Sequence, residues 1–208
     1  MSSLEKKNDE FSGIDNSAKA LIELETPYRA TVSIIGVSKL LMHNWTNGDK
    51  QESAKAPKGT KQFDVVENYV YRNEAGNVCM PTFNFCASLR MAGKSFSDPA
   101  SPRKSLHDRV KAAIVPDEEY AVFNGNAKTW DFIDTRRVVV QRAGISRSRP
   151  GFYEGWKLTF KILVTDPMYI NELTLRQLVD RAGKFHGIGD FRPTFGRFHV
   201  DGIKIESV

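Results

Sequence analysis

The sequence has few of the features that mark membrane proteins or disulfide-rich proteins. No apolar run approaches the ~18 residues that a membrane-spanning helix needs, and the N-terminal segment has no apolar core of a secretory signal peptide. The two cysteines, Cys79 and Cys86, form no CxxC motif and have no paired histidines nearby, which argues against a zinc site or a disulfide framework. We therefore expect a cytoplasmic protein that uses no metal and no other cofactor.

The motifs of several common enzyme classes are also missing. The sequence contains no Walker A loop, no HExxH motif, no Rossmann glycine fingerprint and no Ser–His–Asp pattern. Two of its four histidines are candidate general bases: His43 follows the first predicted strand, and His186 precedes a glycine-rich run. Because histidines at such positions more often serve packing or loop roles, the sequence favours a protein that is not an enzyme.

Length and composition predict one globular domain. The chain has 208 residues, of which 40% are hydrophobic and 26% are charged, so it can bury a sizeable core. Residues 1–27 are polar and mixed in charge, and we interpret them as a flexible N-terminal arm. Residues 28–208 form the predicted domain, with insertions at 46–80 and 97–130. The first insertion begins with a basic loop that contains almost no apolar residues.

Positive charge is concentrated in one part of the chain. The net charge is +5, yet residues 1–25 carry six acidic side chains against three lysines, whereas residues 136–161 carry seven basic side chains against one glutamate. This concentration, mostly of arginine, is typical of a face that binds a polyanion, although a solvated strand face would show the same pattern. The candidate phosphate contacts from this reasoning are Arg136, Arg137, Arg142, Arg147 and Arg149, and Lys39, just past the first predicted strand, is a separate candidate.

A second candidate surface is the run from Gly187 to Phe198. Its glycines let the backbone approach another surface closely, its arginines can bind phosphate, and its phenylalanines can stack on bases. A glycine-rich turn whose phenylalanines face the core is the alternative interpretation. The residues that we select here as nucleic-acid contacts are Gly187, Gly189, Arg192, Phe195 and Arg197.

The order of predicted elements indicates an α+β fold. Residues 28–37 predict the first strand, and apolar residues at helical spacing predict helices at 83–93 and 173–184. Residues 132–145 and 156–164 predict two strands that pair as an antiparallel hairpin, because strands adjacent in sequence usually pair.

Smaller elements complete this pattern. A further hairpin is expected where residues 63–71 and 78–81 flank a turn, with Thr82 as the N-cap of the first helix and a last strand from Phe198. Without the insertions, the order is that of a ferredoxin-like (RRM-like) βαββαβ core with an inserted β-hairpin and a flexible basic loop. In RNA-recognition domains of this topology, the open sheet face holds single strands.

Several segments together resemble the RAMP superfamily. They are residues 34–43, the run Thr135-Arg136-Arg137-Val138, the run Arg147-Ser148-Arg149-Pro150, and the glycine-rich segment from Gly187 through Phe198. The resemblance covers roughly residues 29–206, and the glycine-rich segment is its most specific part. Within the superfamily, the chain is most similar to the RAMP-like proteins of phages and prophages, and the backbone subunits of CRISPR effector complexes are more distant members.

The resemblance implies a function and a partner. Proteins of this kind bind guide RNA along its phosphate backbone and stack into filaments, with a flexible hairpin of one subunit reaching the next; residues 46–80 or 143–153 could supply that hairpin. We expect a non-catalytic protein that binds single-stranded nucleic acid, RNA rather than DNA, and forms homo-oligomers in a bacterial host or phage-infected cell. The alternatives are a RAMP-type endoribonuclease that uses His186 or His43, and an assembly subunit whose arginines bind an acidic protein.

Overall fold

The computed structural model describes residues 26–44, 66–140 and 143–208, and it confirms an α+β protein. Expectations for residues 1–25, for the basic loop up to residue 65, and for Arg142 lie outside these ranges. The three helices of the described residues are α1 (Thr82–Gly93), α2 (His107–Ala113) and α3 (Glu172–Phe185), and Val66–Tyr69 form a 3-10 turn. The strands are β1 (Tyr28–Gly36), β2 (Leu40–Leu41), β3 (Cys79–Pro81), β4 (Ser97–Asp98), β5 (Ser101–Ser105), β6 (Ile114–Pro116), β7 (Tyr120–Val122), β8 (Phe132–Val140), β9 (Ala143–Phe152), β10 (Lys157–Val164) and β11 (Phe198–Ser207).

A four-stranded antiparallel sheet forms the centre of the molecule. Its strand order is β11-β1-β10-β6, so β1 has a hydrogen-bonded neighbour on both sides. Side chains alternate along β1 and β10, and the inward set is almost fully buried. Val32 on β1 and Phe160 on β10 are both 0% exposed and lie opposite each other in the register. Apolar residues at every second position of β1 and β10 therefore place one face of this sheet in the core.

Helices α1 and α3 pack on that buried face. Leu175, Leu178 and Val179 of α3 are fully buried, as the helical spacing predicted. Phe85 of α1 stacks on Phe160 of β10, with ring centroids 4.6 Å apart. None of the helices in the described ranges has the length and apolar character to cross a membrane.

A second sheet holds the basic segment, and here the predicted pairing is wrong. The expected hairpin between residues 132–145 and 156–164 does not form. Instead the chain reverses direction after Val140, β8 pairs with β9, and β10 joins the central sheet beside β1. The physical reason is burial: β10 alternates apolar residues that fit the core, whereas β8 and β9 carry charged residues that do not. In this second sheet the strand order is β2-β9-β8.

One local expectation is confirmed in part and another is corrected. Strand β3 pairs with β7, and the predicted hairpin forms next to its turn, where Arg72 bridges Val78 and the N–H of Cys79 donates to the carbonyl of Tyr71 at 3.0 Å. Gly76 of that turn has a left-handed φ of +72°, which glycine adopts without strain. Thr82 is the first residue of α1 rather than its N-cap, which is Pro81.

Candidate nucleic-acid interface

The glycine-rich run packs against the segment that joins β1 to β2. Backbone hydrogen bonds connect the N–H of Asp190 to the carbonyl of Leu41 (2.9 Å), the N–H of Gly196 to the carbonyl of Lys39 (2.8 Å), and the N–H of Val37 to the carbonyl of Arg197 (2.9 Å). These bonds place the run beside the second sheet, because Leu40 and Leu41 are also the residues of β2 that pair with β9. Two segments far apart in sequence thus form one continuous surface.

The glycines make this packing possible. Gly187, Gly189 and Gly196 all have positive φ, and a Cβ atom on Gly189 would lie 2.5 Å from the Leu41 carbonyl oxygen. The N–H of Gly187 donates to the carbonyl of Ala182 at 2.8 Å. The N–H of Gly187 is therefore used inside the protein rather than for phosphate, whereas the phosphate contact of Gly189 stays a prediction.

Strands β8 and β9 turn one face toward the glycine-rich run. Directly opposite residues in an antiparallel pair share a face, and Arg136 lies opposite Arg147 while Asp134 lies opposite Arg149. Arg137 lies on the other face, as alternation along a strand predicts, and its side chain is exposed. The arginines of the hairpin are thus divided between two surfaces.

Phenylalanines of the run lie between these arginines. The Phe191 ring centroid is 4.9 Å from the guanidinium carbon of Arg136 and 4.6 Å from that of Arg149. Arg136 is also 4.9 Å from the Phe195 ring, and Asp134 accepts two hydrogen bonds from its guanidinium group. Arginine–ring contacts of this kind contribute about 0.5–2 kcal/mol each. They fix the position of both rings on the surface.

Asp190 forms an ion pair that joins the glycine-rich run to the β8–β9 hairpin. Its carboxylate forms an ion pair with Arg149 and lies 3.6 Å from the Nδ1 atom of His43. Burial opposes ionisation of this group, but the nearby His43 ring and the positive charge of Arg149 outweigh it and hold the pKa of Asp190 at about 2. The ion-pair partner of Asp190 thus lies on β9 and not within the glycine-rich run.

The side chains of Arg147 and Arg149 are buried and make their contacts within the protein. Both residues are only 5% exposed. Arg147 contacts the Nε2 atom of His43 at 3.1 Å and lies over the Tyr69 ring, while Arg149 is paired with Asp190. The prediction that these two arginines contact phosphate directly is therefore corrected: they hold the hairpin against the glycine-rich run.

The exposed basic residues are a different set. Arg192 and Arg197 are exposed, and the Nε atom of Arg197 donates to the carbonyl of Pro193 at 2.9 Å. The Nζ atom of Lys39 lies 5.4 Å from the ring centroids of both Phe132 and Tyr153. The sequence analysis did not select Phe132 and Tyr153, because they become neighbours of Lys39 only through the pairing of β2, β9 and β8. The available signal was an aromatic residue at the start of β8 and another directly after β9.

The two candidate catalytic histidines occupy different surroundings. His43 is placed between Asp190 and Arg147, with its ring edge-on to Tyr69 at 4.8 Å. Burial, followed by the nearby charges of Arg181, Arg192 and Lys94, lowers the pKa of His186, which is therefore neutral at pH 7. Across the described ranges, no group of three or more His, Cys, Asp or Glu side chains could hold a metal ion.

Comparison with known proteins gives a weak structural likeness. No family model matches the sequence, and no curated protein matches it. Among solved structures, the chain is similar to a subunit in a cryo-EM structure described as type III-B Cmr-beta bound to cognate target RNA. The TM-score is 0.45 and the sequence identity 10%, over 98% of this chain and 67% of that subunit.

Proposed function

We propose that this protein binds single-stranded nucleic acid without cleaving it, and that RNA is the favoured ligand. The observation that supports the proposal most directly is the contact of the glycine-rich run with the β8–β9 hairpin, which gathers aromatic rings and partly exposed cations on one surface. We call this surface the aromatic–basic face. Its residues are Lys39, Phe132, Arg136, Tyr153, Phe191, Arg192, Phe195 and Arg197.

The chemistry of this face suits a single strand better than a duplex. Rings interleaved with cations can stack on unpaired bases while the cations neutralise the phosphates between them. Tyr153 is 51% exposed, and Phe191 and Phe195 are partly exposed, so each ring presents surface to solvent. The preference for RNA rests on the resemblance to RAMP proteins.

A ferredoxin-like core is part of this proposal. The sheet order β11-β1-β10-β6, with every pair antiparallel, supports it. In chain order these strands and their helices run β1, α1, β6, β10, α3, β11, which is the βαββαβ sequence of that topology.

The ligand is assigned to the aromatic–basic face rather than to the sheet face opposite the helices. On β1 and β10 that sheet face presents polar and aliphatic side chains without aromatic rings. Two of its cations are already paired, Arg29 with Asp117 and Lys161 with Glu118. On these two strands a base finds no ring to stack on, although His199 of β11 lies opposite Ile35 and is exposed on the same face.

A salt series tests the proposal. Fluorescence anisotropy with a labelled 12-nucleotide RNA should show binding at ~50 mM salt that weakens with a log–log slope of about −0.7 for each phosphate contact. Arg192→Gln should reduce that slope by about 0.7, whereas Arg29→Gln, at the end of β1 opposite to the one that contacts the glycine-rich run, should leave it unchanged. If the RNA does not bind at low salt, or if its affinity does not change with salt concentration, the proposal is wrong.

A ring substitution tests the stacking component. Phe195→Ala should weaken RNA binding by about 1–3 kcal/mol. Phe83→Ala is the matched control, because Phe83 is an exposed ring on α1 that also contacts an arginine, Arg90. Competition with DNA of the same sequence tests the RNA preference, and sedimentation with and without RNA tests homo-oligomer formation.

One observation favours a second candidate, an endoribonuclease. His43 lines a cavity together with Asp190, which gives a histidine and a carboxylate near the aromatic–basic face. Both ring nitrogens of His43 are engaged by Arg147 and Asp190, however, so the arrangement suits a structural role better. We expect labelled RNA to remain intact with the wild type, His43→Ala and His186→Ala; cleavage that disappears in one variant would establish the enzyme instead.

A further inference from the structure

Strand β11 forms one edge of the central sheet, whose strand order is β11-β1-β10-β6. The strand is ten residues long, and among the described residues no other strand pairs with its outer side. A long edge strand presents a row of unpaired N–H and C=O groups that can form hydrogen bonds with another chain. The outer side of β11 is therefore a candidate interaction surface.

The hydrogen bonds to β1 show which backbone groups of β11 face outward. The N–H of Val208, directly after β11, donates to the carbonyl of Pro27, directly before β1, at 3.3 Å. In an antiparallel pair, every second residue directs its N–H and C=O toward the partner strand, and the residues between direct theirs away from it. Three residues near this end of β11 therefore present their backbone groups to the open edge: Ile203, Ile205 and Ser207.

Two opposite charges flank the middle one of these residues. Lys204 and Glu206 stand on either side of Ile205, both are exposed, and both lie on the sheet face opposite the helices. Glu206 lies opposite Arg29 of β1, but the guanidinium group of Arg29 is already paired with Asp117. The end of β11 thus carries one positive and one negative side chain beside an open edge.

These charges are self-complementary in one antiparallel register. If two copies of β11 pair about a two-fold axis at Ile205, Lys204 of each copy lies opposite Glu206 of the other, in a pair whose side chains lie close together. A shift of the axis by one residue places Lys204 opposite Lys204, or Glu206 opposite Glu206, and like charges destabilise a strand pair. A lone lysine on an edge strand opposes pairing, whereas this arrangement favours pairing with a second copy.

Apolar side chains beside the edge add to the contact. Ile203 and Ile205 are only partly buried against the core, so a neighbouring strand would cover them further. Arg176 of α3 reaches the outward carbonyl of Ile203 at 3.4 Å. Leu173 precedes Arg176 by three residues, which places it on the same side of the helix, and it is 64% exposed. The edge therefore combines hydrogen-bonding groups, opposite charges and exposed apolar surface.

We propose that the partner of β11 is a second copy of this chain, and that the two strands pair antiparallel about a two-fold axis at Ile205. Both copies then use the same surface, so the contact closes as a dimer and does not continue into a filament. The glycine-rich run contacts Val37, beyond the opposite end of β1, so the aromatic–basic face stays open in both copies. The inference does not depend on nucleic-acid binding.

Sedimentation equilibrium of the protein without nucleic acid tests the dimer. Two short strands bury little surface, which is typical of weak contacts, so the wild type should change from monomer to dimer as its concentration rises. Lys204→Glu places like charges in both symmetry-related pairs and should raise the dissociation constant about tenfold or more. Adding Glu206→Lys to this variant restores opposite charges and should recover the wild-type value. Lys157→Glu is the control, because Lys157 is an exposed lysine of β10, away from the edge.

Hydrogen exchange of single amides gives a second measurement that changes no side chain. The N–H of Ile205 points away from β1, so it should exchange rapidly in the monomer and more slowly as the dimer forms at higher protein concentration. The N–H of Lys204 points toward β1 and is the internal control, since its protection should not require a second copy. Both rates can be measured by NMR.

Several results would overturn the proposal. They are a wild type that stays monomeric at every concentration, a dimer that Lys204→Glu does not weaken, and a charge-swapped double variant that dimerises no better than the single one. An Ile205 amide that exchanges equally fast at low and high concentration would also exclude this interface. None of these results affects the proposed function, which the salt series tests separately.

Discussion

At the scale of single residues, the arginines divide into two kinds. Arg147 and Arg149 are buried against His43 and Asp190, where each must keep its partner because an unpaired buried charge is costly. Arg192 and Arg197 are exposed and remain available to a polyanion. Composition alone could not distinguish these kinds, because the four side chains are identical until the fold decides what surrounds them.

Asp190 gives a prediction at this scale. A carboxyl whose pKa is about 2 in the folded protein and 3.8 in the unfolded chain stabilises the fold above pH ~4 and loses that contribution as the pH falls toward 2. Asp190→Asn should therefore lower the free energy of unfolding at pH 7 by at least about 2 kcal/mol. Its stability should also depend less on pH between 4 and 2, as urea denaturation at several pH values would show.

Asp201→Asn is the control for this measurement. Asp201 is an exposed carboxylate on β11, so its replacement should change the unfolding free energy little. An Asp190 variant as stable as the wild type at pH 7 would mean that the Arg149 ion pair does not stabilise the glycine-rich run.

At the scale of secondary-structure elements, the sequence predicted which helices and strands form better than it predicted which strands pair. Helices α1 and α3 and strand β1 lie within two residues of their expected bounds, because their apolar periodicity depends on local order. The hairpin was assigned to the wrong strands, since pairing depends on which strand the core accepts. The stretch 132–145 contained no Gly-rich turn signal to reveal the reversal after Val140.

The glycine-rich run provides the prediction for an element. Gly196 has φ +76°, and an added Cβ would lie 1.8 Å from the Ile188 carbonyl oxygen. Gly196→Ala should thus destabilise the protein by more than the ~1–3 kcal/mol of backbone strain alone and should weaken RNA binding. Thermal unfolding measures the first effect and anisotropy the second.

Gly202→Ala is the control for the Gly196→Ala variant. Nothing lies within 4 Å of a Cβ atom built on Gly202, and the residue is exposed on β11. This control should keep the wild-type midpoint and affinity. If the two alanine variants unfold at the same temperature, the close packing of the run against itself does not contribute to stability.

At the scale of the whole molecule, stability and binding are assigned to different sheets. The central sheet contains the main core and two packed helices, while the β2-β9-β8 sheet carries charged side chains that hold the glycine-rich run. Such a division allows the surface that we propose for nucleic-acid binding to carry buried arginines, because the core on the other sheet offsets their cost.

Amide hydrogen exchange tests this division. The amides of β1, hydrogen-bonded to strands on both sides and flanked by fully buried side chains, should exchange through global unfolding. The amides of β8, an edge strand in the order β2-β9-β8, should exchange faster by local opening. Equal protection in the two strands would show that both sheets unfold as one unit.

The sequence by itself determined the α+β class, the main helices, the first strand and the location of the basic residues, because periodicity and charge are properties of local order. The tertiary structure decided which strands pair, which arginines are buried, and that the glycines of the 187–198 run contact Leu41 and Ile188. It also brought Asn84 and Asp190 to one cavity. The contact of Gly189 with Leu41 and the meeting of Asn84 with Asp190 join residues more than 100 positions apart, so they are settled by how the whole core packs and not by any one segment.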